Sequence, residues 1–161
     1  MNEEKAMLYT IGHNGHGGLH GLIDVLKEHQ IELVIDVRRR AWSAHPGYRK
    51  NTLSETLHEN TIRYKHVPEV GPSTEILNWW KHIQSPTLSD WEEYCRRYFD
   101  MDIEVHIESL ADLILELNKT CCLLCAEHDP DWCHRSLLAH TLRDKIDDFE
   151  SNTNTATVID L

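Results

Sequence analysis

Apolar positions along this chain come in two kinds, short continuous runs and longer stripes of helical period, and the two alternate. Residues 7–11 are apolar and β-prone, and Gly12 closes the run. Leu19, Leu22, Ile23 and Leu26 recur at helical spacing, which predicts a helix over about 18–29. Residues 31–37 are β-branched and nearly unbroken, the pattern of a strand buried on both faces. A helix is expected over 52–60, with Thr52 or Ser54 as its N-cap, and a short strand over 62–66. Two prolines and a glycine make 67–73 a loop.

Farther on, a helix is expected over about 75–83, carrying Trp79 and Trp80. Another, starting with Ser89, Asp90, Trp91 and Glu92, runs to about Asp100. Ile107, Leu110, Ala111, Ile114 and Leu117 form an amphipathic stripe. Cys121–Cys125 reads as a strand. A helix over 133–149 turns Leu137, Leu138, Thr141 and Leu142 inward, 151–155 is a polar loop, and 156–161 is a last strand. Strands alternating with helices predict a single α/β domain over 1–161: a mostly parallel central sheet of about five strands, with helices on both faces. The reactive residues mostly follow strands, and in a parallel sheet those ends share one rim, where ligands bind.

Composition narrows the classes. No apolar run approaches the ~20 residues that span a bilayer, so no membrane partner is expected. The polar opening, Met1-Asn2-Glu3-Glu4-Lys5, is not a secretory signal. Five cysteines, odd in number and clustered late, fit reduced thiols in a cytoplasm better than a disulfide framework. A net charge of -11 argues against a generic charge-driven nucleic-acid binder. The charge is uneven, however. Between Asp36 and His66 stand Arg38, Arg39, Arg40, Arg49, Lys50, Arg63 and Lys65 against only Asp36, Glu55 and Glu59, so a local anion-facing surface is expected.

The richest chemistry lies in the thirteen residues from Leu123 to Arg135. Asp131 after Pro130 reads as an N-cap, which places Cys133 in the first helical turn, where free amides and the dipole favour a thiolate. His134 and Arg135 add positive charge. Alternation along the strand puts Cys121, Leu123 and Cys125 on one face and Cys122 and Leu124 on the other, with Cys121 and Cys122 in the core. Cys125 ends the strand and reaches a cleft. Glu127 either moves a proton or anchors a buried cation, Arg38 or Arg135. Cys125, His128, Cys133 and His134 also offer metal ligands, but their spacing is not that of a structural zinc module, and neighbours such as Cys133 and His134 point apart on a helix. A catalytic iron or zinc site using His13, His66 or His134 is the other metal arrangement weighed. The sequence assigns no metal or other cofactor.

Asp36-Val37-Arg38 ends a buried strand. Asp36 there orients a histidine or pairs with the arginine, while Arg38 can hold an oxyanion bidentately. His13 lies on a loop with Gly12, Gly15, Gly17 and Gly18 that can approach phosphate but lacks the dinucleotide fingerprint. Tyr48-Arg49-Lys50 mixes an aromatic with two cations, which suits stacking plus phosphate contact or simply a solvated loop. Trp79, Trp80 and Trp91 read as core or lid.

Thr10-Ile11-Gly12-His13, Asp36-Val37-Arg38, Ser43, His66-Val67-Pro68-Glu69-Val70-Gly71 and Cys125-Ala126-Glu127 followed by Cys133-His134-Arg135 together resemble the domain-of-unknown-function 488 family, over about residues 9–142. The resemblance implies a compact α/β domain with these motifs, Ser43 and His66 included, around one cleft. It implies no reaction. The chain departs from the pattern at Asn14, Ala41, Pro72 and Asp160, where Ser, Pro, Gly and His are expected. Asp-Val-Arg after a strand is also reminiscent of rhodanese-like sulfurtransferases, although residues 126–134 between Cys125 and Arg135 make the wrong loop for their cradle.

These readings point to an enzyme acting on an anionic substrate, a nucleotide or nucleic-acid component, with Cys/His/Glu-dependent hydrolase, lyase or transferase chemistry. Cys125, Glu127, Cys133, His134 and His13 are the reactive candidates; Asp36, Arg38, Ser43, Tyr48, Arg49, His66 and Arg135 are the substrate-binding ones. Two alternatives stand beside it: a non-catalytic module that senses a nucleotide or nucleic acid, and rhodanese-like thiol or persulfide transfer.

Overall fold

The computed structural model describes residues 7–127, 129–150 and 157–161. The expected loop over 151–155, and His128 among the weighed ligands, lie outside them. Five strands form one sheet: β1 (Met7–Gly12), β2 (Leu33–Asp36), β3 (Arg63–His66), β4 (Cys121–Cys125) and β5 (Thr157–Asp160). The order is β3-β2-β4-β1-β5 and every pairing is parallel. Six helices connect them: α1 (Leu19–Glu28), α2 (Lys50–Glu59), α3 (Thr74–Lys81), α4 (Leu88–Phe99), α5 (Glu104–Leu117) and α6 (His134–Glu150).

Strand alternation sorts the core into two layers. Tyr9, Ile11, Val34, Cys122 and Leu124 meet Leu22, Ile23 and Leu26 of α1 and Leu53 and Leu57 of α2. Leu8, Ile35, Cys121, Leu123 and Cys125 face the other way, onto α3, α4, α5 and α6. The expected division of the β4 side chains therefore holds, and Cys121 and Cys122 are core. Among the described residues no helix is long and apolar enough to cross a membrane.

Three local expectations are corrected. The second helix starts at Lys50, and neither Thr52 nor Ser54 caps it; Arg49 stands at the N-cap with no side-chain bond. The fourth is capped two residues earlier than its Ser89-Asp90 pair implies, because Thr87 and Asp90 close a reciprocal capping box. Asp131 does not cap α6: it is exposed, its amide binds the Asp129 carboxylate, and Cys133 directly precedes the helix.

The topology places the site. The chain leaves β1 and β2 toward the α1/α2 layer, but leaves β3 and β4 toward the other layer. Both neighbours of β4 thus send their connections to the opposite face from its own, which opens a crevice beyond its carboxyl end. Gly71 fastens the rim from the side. A Cβ there would stand 2.5 Å from the Arg39 amide nitrogen and 3.0 Å from the Val37 carbonyl oxygen, so the loop after β3 seats against the loop after β2 only without a side chain.

Candidate functional site

At the end of β4 the sulfur of Cys125 meets the start of α6. Cys125, Cys133 and His134 are all buried, and their donor atoms lie within 4.8 Å of one another. His134 Nδ1 is 3.8 Å from Cys125 Sγ and 3.9 Å from Cys133 Sγ. Its Nε2–H donates to the Val37 carbonyl at 2.9 Å. A carbonyl only accepts, so the second nitrogen is the one that faces the sulfurs. The expectation that Cys133 and His134 diverge fails for a simple reason. Cys133 precedes the helix, so helical geometry does not separate the pair.

An aromatic wedge holds this corner. Trp132 stacks on Trp80 of α3 and meets Trp91 of α4 edge-on, with ring centroids 5.9 and 5.7 Å apart. The His134 ring packs against Tyr98, whose hydroxyl donates to the Val70 carbonyl at 2.7 Å. Trp79, Trp80 and Trp91 pack against the core, as one of the two readings of them expects.

The two thiols differ in character. Cys125 is lowered from the ordinary thiol range, chiefly because the Cys133 thiol donates to it, with the Ala126 and Glu127 amides adding to this against the cost of burial. Cys133 is raised well above that range, by the hydrogen bond to Cys125 and by burial. This reverses the expectation of an acidic Cys133 at a helix start. The amides that favour a thiolate surround Cys125 instead.

The arginines have partners of their own. Arg38 is buried and grips Asp36 bidentately, Nε to Oδ1 at 2.8 Å and Nη2 to Oδ2 at 2.6 Å, while its Nη1 donates to the Tyr48 carbonyl. Tyr64 donates to the same carboxylate at 2.6 Å. Burial opposes the charge of Arg38, but the bonds to Asp36 outweigh it and raise its pKa; burial, and then the Asp36 charge, raise that of Tyr64. Arg135 is fully buried between the Glu127 carbonyl and the Asp160 carboxylate, the latter at 3.1 Å and also bonded by Thr10. Both guanidiniums are thus engaged by the fold. Glu127 pairs with neither through its carboxylate. Its side chain is exposed, and it serves the corner through its backbone.

His13 lies across the sheet from the thiols. Its amide donates to the Cys125 carbonyl at 2.9 Å, and its ring stacks on Tyr48 with centroids 4.4 Å apart. The residue is 3% exposed, yet among the described residues neither ring nitrogen has a partner of hydrogen-bond geometry, the Asn14 side chain acting on the ring only outside that geometry. Burial, then the Arg38 charge, pull its pKa down from 6.5 to about 4, so the ring is neutral at pH 7. Beside Tyr48 opens a pocket of about 370 Å³, lined by Asn14, Gly15, Gly18, Leu19, His45 and Gly47. Gly15 and Gly18 adopt φ of +93° and +99°, which only glycine takes without strain. No acidic residue stands in the first turn of α1.

The remaining candidates shape the rim. His66 Nε2–H donates to the Arg38 carbonyl at 2.8 Å. Ser43 accepts from the His45 amide, and its carbonyl accepts from Arg49 Nε. Arg49 is exposed, with its guanidinium 5.4 Å from the ring centre of exposed Trp42. One rim therefore gathers all the candidates, with thiols and His134 on one face of the sheet and His13, Tyr48 and the pocket on the other. Tyr64 was missed, although it shares a face of β3 with His66. Asp160 was noted only as a departure; it supplies the counter-charge of Arg135.

Neither the curated proteins nor the solved structures compared contain a match to the chain. A family model, Domain of unknown function DUF488, matches residues 18–142, a stretch that holds every motif of the resemblance except Thr10–His13. The chain belongs to the DUF488 family.

Proposed function

We propose that this chain is an enzyme acting on a small anionic substrate, a nucleotide or nucleic-acid component, bound in the crevice beyond β4. The observation that carries the reading is His13. A buried imidazole with two unbonded nitrogens costs about 1–3 kcal/mol per orphaned group, and such a group marks a place where something else completes the bonding. The pocket beside it has the right chemistry for a phosphorylated, aromatic ligand. The glycine turns and uncapped first amides of α1 suit an anion, His45 borders it, and Tyr48 offers a ring face. Cys125, Cys133 and His134, at the same strand end but on the other face of the sheet, supply the reactive groups that a substrate reaching across the crevice would meet.

The test is a thermal-shift and calorimetric series with inorganic phosphate, nucleoside mono-, di- and triphosphates and a short single-stranded oligonucleotide. At least one is expected to raise the melting temperature, and Tyr48→Ala to weaken its binding about tenfold, near 1.4 kcal/mol. No shift with any of them sinks the reading. A bound nucleotide that stays unchanged on long incubation leaves a sensing module.

The adjacent sulfurs favour a second reading, sulfur transfer. Cys125 thiolate would take the outer sulfur of a persulfide donor RS–SH, forming Cys125–S–SH and releasing RS⁻. Sulfide release from a persulfide donor in the presence of a reducing thiol, lost in Cys125→Ser, tests it.

A further inference from the structure

We propose that Cys125, Cys133 and His134 bind a zinc ion, with one coordination position left to solvent or substrate. Zinc holds sulfur at about 2.3 Å and imidazole nitrogen at about 2.0–2.1 Å in a tetrahedron. That geometry sets sulfur–nitrogen separations near ~3.6 Å and a sulfur–sulfur separation near ~3.8 Å. The observed sulfur–nitrogen separations are 3.8 and 3.9 Å, and the whole triad fits within 4.8 Å. The sulfur–nitrogen separations need to close by only a few tenths of an ångström, and the two sulfurs, within 4.8 Å of each other, close on the same point.

The second observation is the Val37 carbonyl. It fixes His134 through Nε2 and turns Nδ1 toward both sulfurs, as an outer-shell acceptor does for a metal-bound histidine. Mere packing needs no such aim, since two buried sulfurs are equally well packed against apolar carbon. Charge is also balanced. Two thiolates, a neutral imidazole and a divalent cation sum to zero, which suits a site so well buried, and binding releases the protons that the thiols carry. Soft sulfur donors select zinc over magnesium or calcium. The frame is firm, because the ligands come from the end of β4 and the start of α6, pinned by the Trp132 stack.

The other cysteines serve as controls. Cys95 is only partly buried on α4, and Cys121 stands at the far end of β4. The experiment is elemental analysis of untagged full-length chain expressed with zinc and purified without chelator. About one zinc per chain is expected in the wild type and in Cys95→Ser, and well under half of that in Cys133→Ser and His134→Asn. Because these variants alter a buried corner, the wild type is also stripped and titrated with Co²⁺. The expected signal is the strong near-ultraviolet sulfur-to-cobalt absorption together with the visible bands of a tetrahedral site. Wild type that carries almost no zinc and develops no such absorption overturns the proposal, as does Cys133→Ser protein that keeps its full zinc. Metal content is read without any substrate, so this outcome is independent of whether the crevice takes a nucleotide.

Discussion

His134 Nε2 bonds to the carbonyl oxygen of Val37, a residue 97 positions upstream, and the bond ties the start of α6 to the end of β2 across the edge of β4. Both groups are buried. His134→Ala leaves that carbonyl without its donor and opens a gap beside Tyr98. The expected cost is about 2–4 kcal/mol, read from urea unfolding with chelator present so that bound metal does not contribute. A loss below about 1 kcal/mol would mean that water replaces the ring.

Asp36 neutralises Arg38 inside the protein, and this pairing decides whether Arg38 is a brace or a ligand clamp. Asp36→Asn leaves a buried guanidinium without its counter-charge and is expected to cost about 3–5 kcal/mol. Tyr64→Phe, which removes one neutral donor to the same carboxylate, is expected to cost less, about 1.5–3 kcal/mol. Urea unfolding measures both. A stable Asp36→Asn variant that binds phosphate more tightly would assign Arg38 to the ligand.

Much of this was legible in the sequence because two periods alternate along it. The run over 31–37 gave β2, shortened to Leu33–Asp36, and the stripe from Ile107 to Leu117 gave α5. The rim followed from the parallel sheet, since motifs after strands gather at one edge. Pairings were harder. The pairing of Asp36 with Arg38 is one of the two readings of that carboxylate, but nothing local tells that Arg135 takes Asp160 or that the Glu127 carboxylate points outward. Those depend on where remote strands sit. The convergence of Cys133 and His134 was missed by a single residue of helix boundary. Helix starts are read least well where a proline turn, here Pro130 accepting from Cys133 and Ser136, delays them.

Gly71 supplies a test of the rim that touches no reactive group. Its φ of -74° suits any residue, so only space forbids a side chain there. Gly71→Ala drives a methyl against Arg39 and Val37 backbone atoms, none of which can rotate away. The expected cost is about 1–3 kcal/mol, or a melting midpoint lower by roughly 3–10 °C, measured by circular dichroism. A variant as stable as wild type would mean that the two loops separate freely.

His13 makes stability depend on pH in a defined window. In the unfolded chain its imidazole titrates at 6.5, and in the fold at about 4. Between those values the unfolded state holds a proton that the folded state lacks, so stability rises with pH across the window. The contribution is fully present above pH 6.5 and is lost as the pH falls toward 4. From pH 7 to pH 5 the loss is about 2 kcal/mol. His13→Phe keeps the ring stack on Tyr48 and removes the titrating nitrogens. Its urea stability is therefore expected to fall less than that of the wild type between pH 7 and pH 5, by about those 2 kcal/mol. Identical losses in the two proteins would show that the imidazole charges freely inside the fold, and the orphaned-ring reading of the pocket would go with it.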